Sequence, residues 1–289
     1  MKHSSDSVAR RVGTTAAKRA SPCSPKTLSH SHKIAKSTVS FAALIDDTVP
    51  PHTLILGTHP SEVSFAKTQY FGNSANAFWW IVGDALGFRR DAGLKTTGEP
   101  AGRRDYFAAL RYEKPLLNYE SGLALFTSRG FALWDVVGSC SRVGSLDSDI
   151  HFDSVMPNDV RGLCALYPTI RRICLGSGQE SAKLFLKHHG EWLASGAFHL
   201  PQGQDVPPPF TATKWQKMLA GEDGHGKLSL VVLPSVSPAA AGITYVAKRE
   251  AWECWCYTPG LRDYEAWQKR SGRVASPYFA LPTTSTFPT

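Results

Sequence analysis

The sequence predicts an α/β fold: a single three-layer αβα domain around a mostly parallel central sheet of about four strands. Three observations carry that expectation. Short apolar runs at Thr53–Leu56, Phe131–Val137, Ile170–Leu175 and Leu228–Leu233 alternate with segments of helical period. Two of these runs end in a Pro-Ser turn, Gly57-Thr58-His59-Pro60-Ser61 and Leu233-Pro234-Ser235-Val236-Ser237-Pro238. No repeat of solenoid period breaks the alternation, and no apolar run approaches the roughly 20 residues of a spanning helix.

Each element follows from local chemistry. Ser40–Asp47 leads into the first strand at Thr53–Leu56. Asn76–Leu86 reads as a helix, because Phe78, Trp79, Ile81, Val82 and Leu86 form one apolar face and Gly87 suits its end. Residues 88–115, with Arg89, Arg90, Arg103 and Arg104, read as a surface excursion carrying a short helix near Asp105–Arg111. Leu116–Ser128 is expected to be helical, and Phe131–Val137 a second strand or short helix before the polar segment Cys140–Ile150. Asn158–Tyr167 reads as a helix, Ile170–Leu175 as the third strand and Glu180–His188 as the helix after Gly176-Ser177-Gly178. Residues 196–226, rich in Gly and Pro, read as a long connection to the fourth strand, Leu228–Leu233, and Thr244–Tyr257 as the closing helix.

Charge is unevenly spread. Of a formal net charge of +8, residues 1–40 hold eight Lys/Arg against the single acid Asp6, that is +7, which leaves the rest of the chain at +1. The folded part therefore lacks a broad basic field, and any grip on DNA must come from local groups. Ser-rich, basic and nearly free of aromatics, the tail is expected to be disordered. A transit sequence, a nuclear targeting arm, a DNA-binding arm and a plain solvated tail all fit its composition. The six cysteines lack Cys-x-x-Cys spacing and read as reduced, structural thiols.

The residues with chemistry to offer gather near the first and last strand ends: His59, Ser61, Asn76, Ser235 and Ser237, with Tyr70 and Phe71 beside them. Ligands of doubly wound sheets bind at such carboxyl ends. There is no Gly-x-Ser-x-Gly elbow, Walker loop or complete Gly-x-Gly-x-x-Gly. Aromatics combined with an amide and small hydroxyls suit a flat, neutral, hydrogen-bonding ligand such as a nucleobase. On the residues alone, Asn76 also fits a helix N-cap, His59 a pocket-wall histidine and Phe71 a core side chain, while Asp135 and Asp147 read as turn or cap carboxylates, with contact to the site as the alternative for either.

Taken in order, these segments resemble the uracil-DNA glycosylase superfamily, closest to its hypoxanthine-DNA glycosylase-type and mismatch-specific branches, over roughly residues 50–257. Gly57-Thr58-His59-Pro60-Ser61 resembles the first motif, Asn76-Ala77-Phe78-Trp79 the Asn-x-Phe-Trp helix start, and Leu233–Pro238 the second motif. Leu133-Trp134-Asp135 and Gly144-Ser145-Leu146-Asp147 are similar to intervening segments of the hypoxanthine-type branch. The resemblance implies a tail at 1–40, a glycosylase-like domain at 41–270 and a flexible end at 271–289. It implies a monofunctional DNA glycosylase that flips out a deaminated or mismatched base, of hypoxanthine or uracil type, and hydrolyses its N-glycosidic bond in base-excision repair. Asn76 and His59 take the catalytic places, Phe71, Tyr70 and Gly57 the base-binding ones, and Ser61, Ser235, Ser237 and Pro238 those facing DNA. His59 stands where relatives carry Asn or Asp, and no Leu or Arg wedge follows the serines of the second motif. No metal or organic cofactor is implied. The expected partner is DNA carrying a damaged or mismatched base, bound by an intracellular monomer that makes no membrane contact. That places it in the nucleus or mitochondrion of a eukaryote or the cytoplasm of a bacterium. An inactive nucleic-acid-binding member of the fold and a small-molecule nucleoside hydrolase remain the alternatives.

Overall fold

A computed structural model describes residues 35–93, 104–199 and 227–273. The expected tails, up to residue 34 and from residue 274, lie outside the described residues, as do residues 200–226 of the long connection. In chain order the strands are β1 (Lys36–Val39), β2 (Thr53–Gly57), β3 (Arg89–Arg90), β4 (Leu116–Leu117), β5 (Phe131–Asp135), β6 (Val137–Arg142), β7 (Met156–Pro157), β8 (Arg172–Leu175), β9 (Phe198–His199) and β10 (Leu228–Val232). The helices are α1 (Glu62–Lys67), α2 (Phe78–Leu86), α3 (Arg104–Ala109), α4 (Tyr119–Thr127), α5 (Val160–Leu166), α6 (Gln179–Ala194), α7 (Tyr245–Trp252) and α8 (Thr258–Ser271).

The central sheet has the order β5-β2-β8-β10-β9, and every pairing in it is parallel. Alternation along the strands separates two cores. Ile55, Leu133, Cys174 and Val231 turn toward one face, where Phe78, Trp79, Phe126, Trp252 and Tyr257 pack. Leu54, Leu56, Ala132, Ile173, Leu175 and Leu230 turn toward the other, against Val160, Cys164, Phe185 and Trp192. Because helices cover both faces, the strands read as unbroken apolar runs, as parallel sheets do. The expected three-layer α/β arrangement is present, with five strands in place of about four; two-residue β9 is too short to carry a period.

Four local expectations need correction. Arg89 and Arg90, read as part of a surface excursion, are 4% and 7% exposed. Arg89 pairs with Asp84 at 2.8 Å, and Arg90 donates to the carbonyls of Gly72 and Asn73, because an inward-facing Asp84 on α2 needs a cation beside it. Lys36–Val39, counted in the tail, is a strand antiparallel to β6 in a separate sheet β1-β6-β7. The run Phe131–Val137 accordingly breaks after Asp135, where the chain changes sheets. The closing helix does not end at Tyr257: α7 passes through a π turn at Glu253–Tyr257 into α8, which carries Pro259 in its first turn. Among the described residues no helix is long and apolar enough to cross a membrane.

Candidate active site at the carboxyl edge of the sheet

β2, β5, β8 and β10 all point their carboxyl ends at one cleft of about 380 Å³, which Gly57, Asp135, Ser177 and Ser235 reach from those four ends. Converging strand ends of this kind form the usual crevice of an open parallel sheet. Two backbone bonds stitch the halves of the cleft together. Ala77 N, at the entry to α2, donates to Val236 O at 2.9 Å, and Val236 N donates to Gly176 O at 3.3 Å. Buried Lys248 holds the same loop from behind, with Nζ 3.3 Å from Ser237 O. The two Pro-Ser turns, far apart in sequence, thereby become opposite walls of one site.

Of the residues singled out from sequence, Gly57, His59, Ser61, Tyr70, Phe71, Asn76, Ser235 and Ser237 line the cleft. Pro238 does not, and stands exposed on its loop. Asn76 precedes α2, and its Oδ1 accepts from Phe78 N at 2.9 Å. A backbone N–H can only donate, so Oδ1 is the atom that faces it and Nδ2 is left with no protein partner among the described residues. Phe71 adopts a left-handed backbone, φ 52°, rare for a bulky side chain and a mark of local constraint. Half-buried, it stacks one face on Phe78 with centroids 4.1 Å apart and planes at 24°. Ser61 caps α1 through Ser64 N, and Ser235 and Ser237 accept from Ser237 N and Ala239 N, so all three hydroxyl oxygens also shape their own turns.

Two expected site residues are committed to the scaffold. His59 is 7% exposed, with Nδ1 3.1 Å from Val137 O and Nε2 2.9 Å from Thr38 Oγ1. A carbonyl only accepts, so Nδ1 carries the proton and Nε2 accepts from the threonine hydroxyl. Burial holds the ring neutral, pushing it down to about 4 despite the raising effect of the Val137 carbonyl. Tyr70 donates its hydroxyl to the carbonyls of Phe41 and Ala42 at 3.1 and 3.2 Å, and burial raises its pKa far above the usual phenol value. Neither polar group is left for a ligand.

The carboxylates carry the reverse correction. Asp135, read as a turn residue, closes β5 directly opposite Gly57, lines the cleft and is 2% exposed. Burial pushes it up to about 7; the Ser40 hydroxyl, 2.6 Å from Oδ2, and Arg142 act the other way, and Asp147 adds to the rise. Asp147 also lines the cleft, accepts from Thr58 Oγ1 at 2.8 Å and is pushed up to about 6, again mainly by burial. A carboxylate at the last position of a parallel strand is a readable signal once that strand's partner is known to end in a site turn.

No family model matches the chain. It is 34% identical over 134 residues to a hypoxanthine DNA glycosylase of Methanosarcina acetivorans, covering 46% of this chain and 67% of that protein. It is 25% identical over 143 residues to a hypoxanthine DNA glycosylase of Methanosarcina barkeri, covering 50% and 72%. A solution NMR structure of a candidate uracil DNA glycosylase from Methanosarcina acetivorans aligns over 82% of this chain and 99% of its own at 22% identity, with a TM-score of 0.39, a likeness too distant to carry weight. Identity of 34% over two thirds of the first of these relatives, in a chain with this sheet and these motifs, decides the question: the chain belongs to the hypoxanthine DNA glycosylase family.

Proposed function

We propose that this DNA glycosylase removes hypoxanthine, and deaminated bases of related shape, from DNA by hydrolysing the bond between C1′ and the base in the cleft at the carboxyl edge of the sheet. The observation that carries the reading is the pairing of Phe71, seated on Phe78, with an Asn76 whose Nδ2 has no protein partner among the described residues. A base rotated out of the duplex lies on the free face of Phe71. The cost of extrusion, a few kcal/mol, is lowest for a mispaired base. As the C1′–N9 bond breaks, its electron pair passes into the purine ring, and Asn76 Nδ2–H donates to the acceptors where that charge collects. A fixed donor in a drying cleft needs no reorganisation during reaction, the usual source of such rate gains. Ser61, Ser235 and Ser237, at the turn walls, position the flanking phosphates. His59 holds β1 against the site turn through Thr38 and takes no proton from substrate.

The test is a set of duplexes carrying one deoxyinosine or one deoxyuridine, scored for abasic sites under excess enzyme. Abasic sites at deoxyinosine support the reading; cleavage confined to deoxyuridine contradicts it. Phe71→Ala is expected to weaken productive capture by roughly 1–3 kcal/mol, the size of one base–aromatic stack. The checks are the half-saturating enzyme concentration and a thermal melt, since an unfolded variant would mark Phe71 as core.

The basic tail supplies long-range attraction in this reading. Residues 1–33 hold seven Lys/Arg and Asp6, that is +6. A chain lacking residues 1–33 keeps β1 and is expected to bind DNA more weakly at low salt, with a shallower salt dependence, while single-turnover excision at saturation is retained. Equal salt slopes for truncated and full-length protein would assign the tail another task. The substrate places the enzyme wherever DNA is repaired, nucleus, mitochondrion or bacterial cytoplasm, and one cleft built within one chain suits a monomer.

A further inference from the structure

The proposed reaction needs a group to take the proton of the attacking water, and His59 is not that group. We infer that Asp135, at the end of β5, receives this proton; the inference rests on the excision reading above and adds its base. Asp135 lines the cleft, and a β-carbon on Gly57 would collide with its Oδ1, so the carboxylate lies directly against the turn of the first motif. That same position of Gly57 is 3.5 Å from the ring tip of Phe71, so carboxylate and stacking ring meet at one point. Ser40 occupies Oδ2, while Oδ1 has no protein partner among the described residues. Parallel pairing of Gly57 with Asp135 fixes this geometry on two rigid strands rather than on a loop.

The step balances. Water oxygen bonds to C1′ as the C1′–N9 bond opens, the bond pair leaves with the purine, and the water proton passes to Asp135 Oδ1. The departing base takes a proton from solvent, and Asp135 returns its own to water after release. Raised by burial to about 7, Asp135 is poised where a general base works well near neutral pH. The groups that set its titration are Asp147, which raises it, and Ser40 and Arg142, which lower it; Tyr70 faces it as a neutral phenol.

The experiment is single-turnover release of hypoxanthine from a deoxyinosine duplex between pH 5 and 9. Wild-type rate should fall about tenfold per pH unit below about 7, because only the ionised carboxylate accepts a proton. Asp135→Asn should be slower by about 10²–10⁴-fold and lose that limb, since positioned acid–base groups contribute on this scale. Asp147→Asn should keep the limb but move it to lower pH, and Ser40→Ala should move it higher. Asp135→Ala should regain part of its rate with added sodium formate, a response no merely structural role produces. The folded carboxyl titrates above its unfolded value, so its stabilisation, full below the unfolded pKa, is lost as pH rises through about 7. Asp135→Asn should therefore melt no lower than wild type at pH 8. Retention of the wild-type limb by Asp135→Asn, or a formate-insensitive Asp135→Ala, overturns the inference and leaves the glycosylase reading standing. Failure of the wild type to release hypoxanthine at any pH overturns that reading instead.

Discussion

Asn76→Ala is expected to slow single-turnover excision by on the order of 100-fold or more, the usual loss for one transition-state donor. The fold should survive. Oδ1 caps a single backbone N–H at the entry to α2, and removing such a cap costs about 1 kcal/mol. That is small beside the several buried aromatics that anchor the helix, Phe78, Trp79 and Trp80 among them. Affinity for the same duplex should change little, since the stacking ring and turn walls are untouched. A rate equal to wild type in the same assay would show that Asn76 only shapes the helix start.

Asp84→Ala is expected to lower stability by about 3–5 kcal/mol, a large part of what a domain of this kind has to lose. Asp84 is 1% exposed, on the inner side of α2. Its Oδ1 accepts from Arg89 Nη2 at 2.8 Å and from Arg111 N at 2.9 Å; its Oδ2 accepts from Tyr245 Oη at 2.9 Å and from Arg249 Nη1 at 3.2 Å. One carboxylate thus bonds to buried Arg89 and half-buried Arg249 and ties α2 to α7, the two helices that flank the cleft's turns. Without it buried Arg89 loses its counter-charge with half-buried Arg249 close by. At roughly 2–4 °C per kcal/mol for a protein of this size, the melting midpoint should drop by about 10 °C. A shift under about 2 °C would mean that water reaches and solvates the cluster.

Much of this was legible in the chain. The four long strands could be read because each is buried on both faces, which writes the sheet as apolar runs such as Leu54-Ile55-Leu56. Asn76 and Phe71 could be placed because a strand-ending Pro-Ser turn and an aromatic helix start lie close together in sequence. What stayed hidden depends on residues brought from afar. His59 and Tyr70 read as site groups until Thr38, Val137, Phe41 and Ala42 arrive to use their polar atoms. Asp135 read as a turn carboxylate because its place in the cleft follows from parallel register with Gly57, which no local pattern records. Lys36–Val39 was lost in the tail because basic, polar residues suit an exposed edge strand as well as a solvated chain. Arg89 and Arg90 carried the signature of a surface loop, and inward-facing Asp84 with the Gly72, Asn73 and Tyr112 carbonyls receives them in the interior.

In the proposed reaction the amide of Asn76, not its capping oxygen, supports excision. Asn76→Asp separates the two, because a carboxylate of the same shape still accepts from Phe78 N–H but offers no N–H to the base. The measurement is single-turnover release of hypoxanthine from a deoxyinosine duplex by Asn76→Asp at pH 8, with affinity for that duplex taken in parallel. Asn76→Asp is expected to show wild-type melting behaviour, affinity within a few-fold of wild type, and a rate reduced on the order of 100-fold or more. A variant that binds and excises as fast as the parent would contradict it.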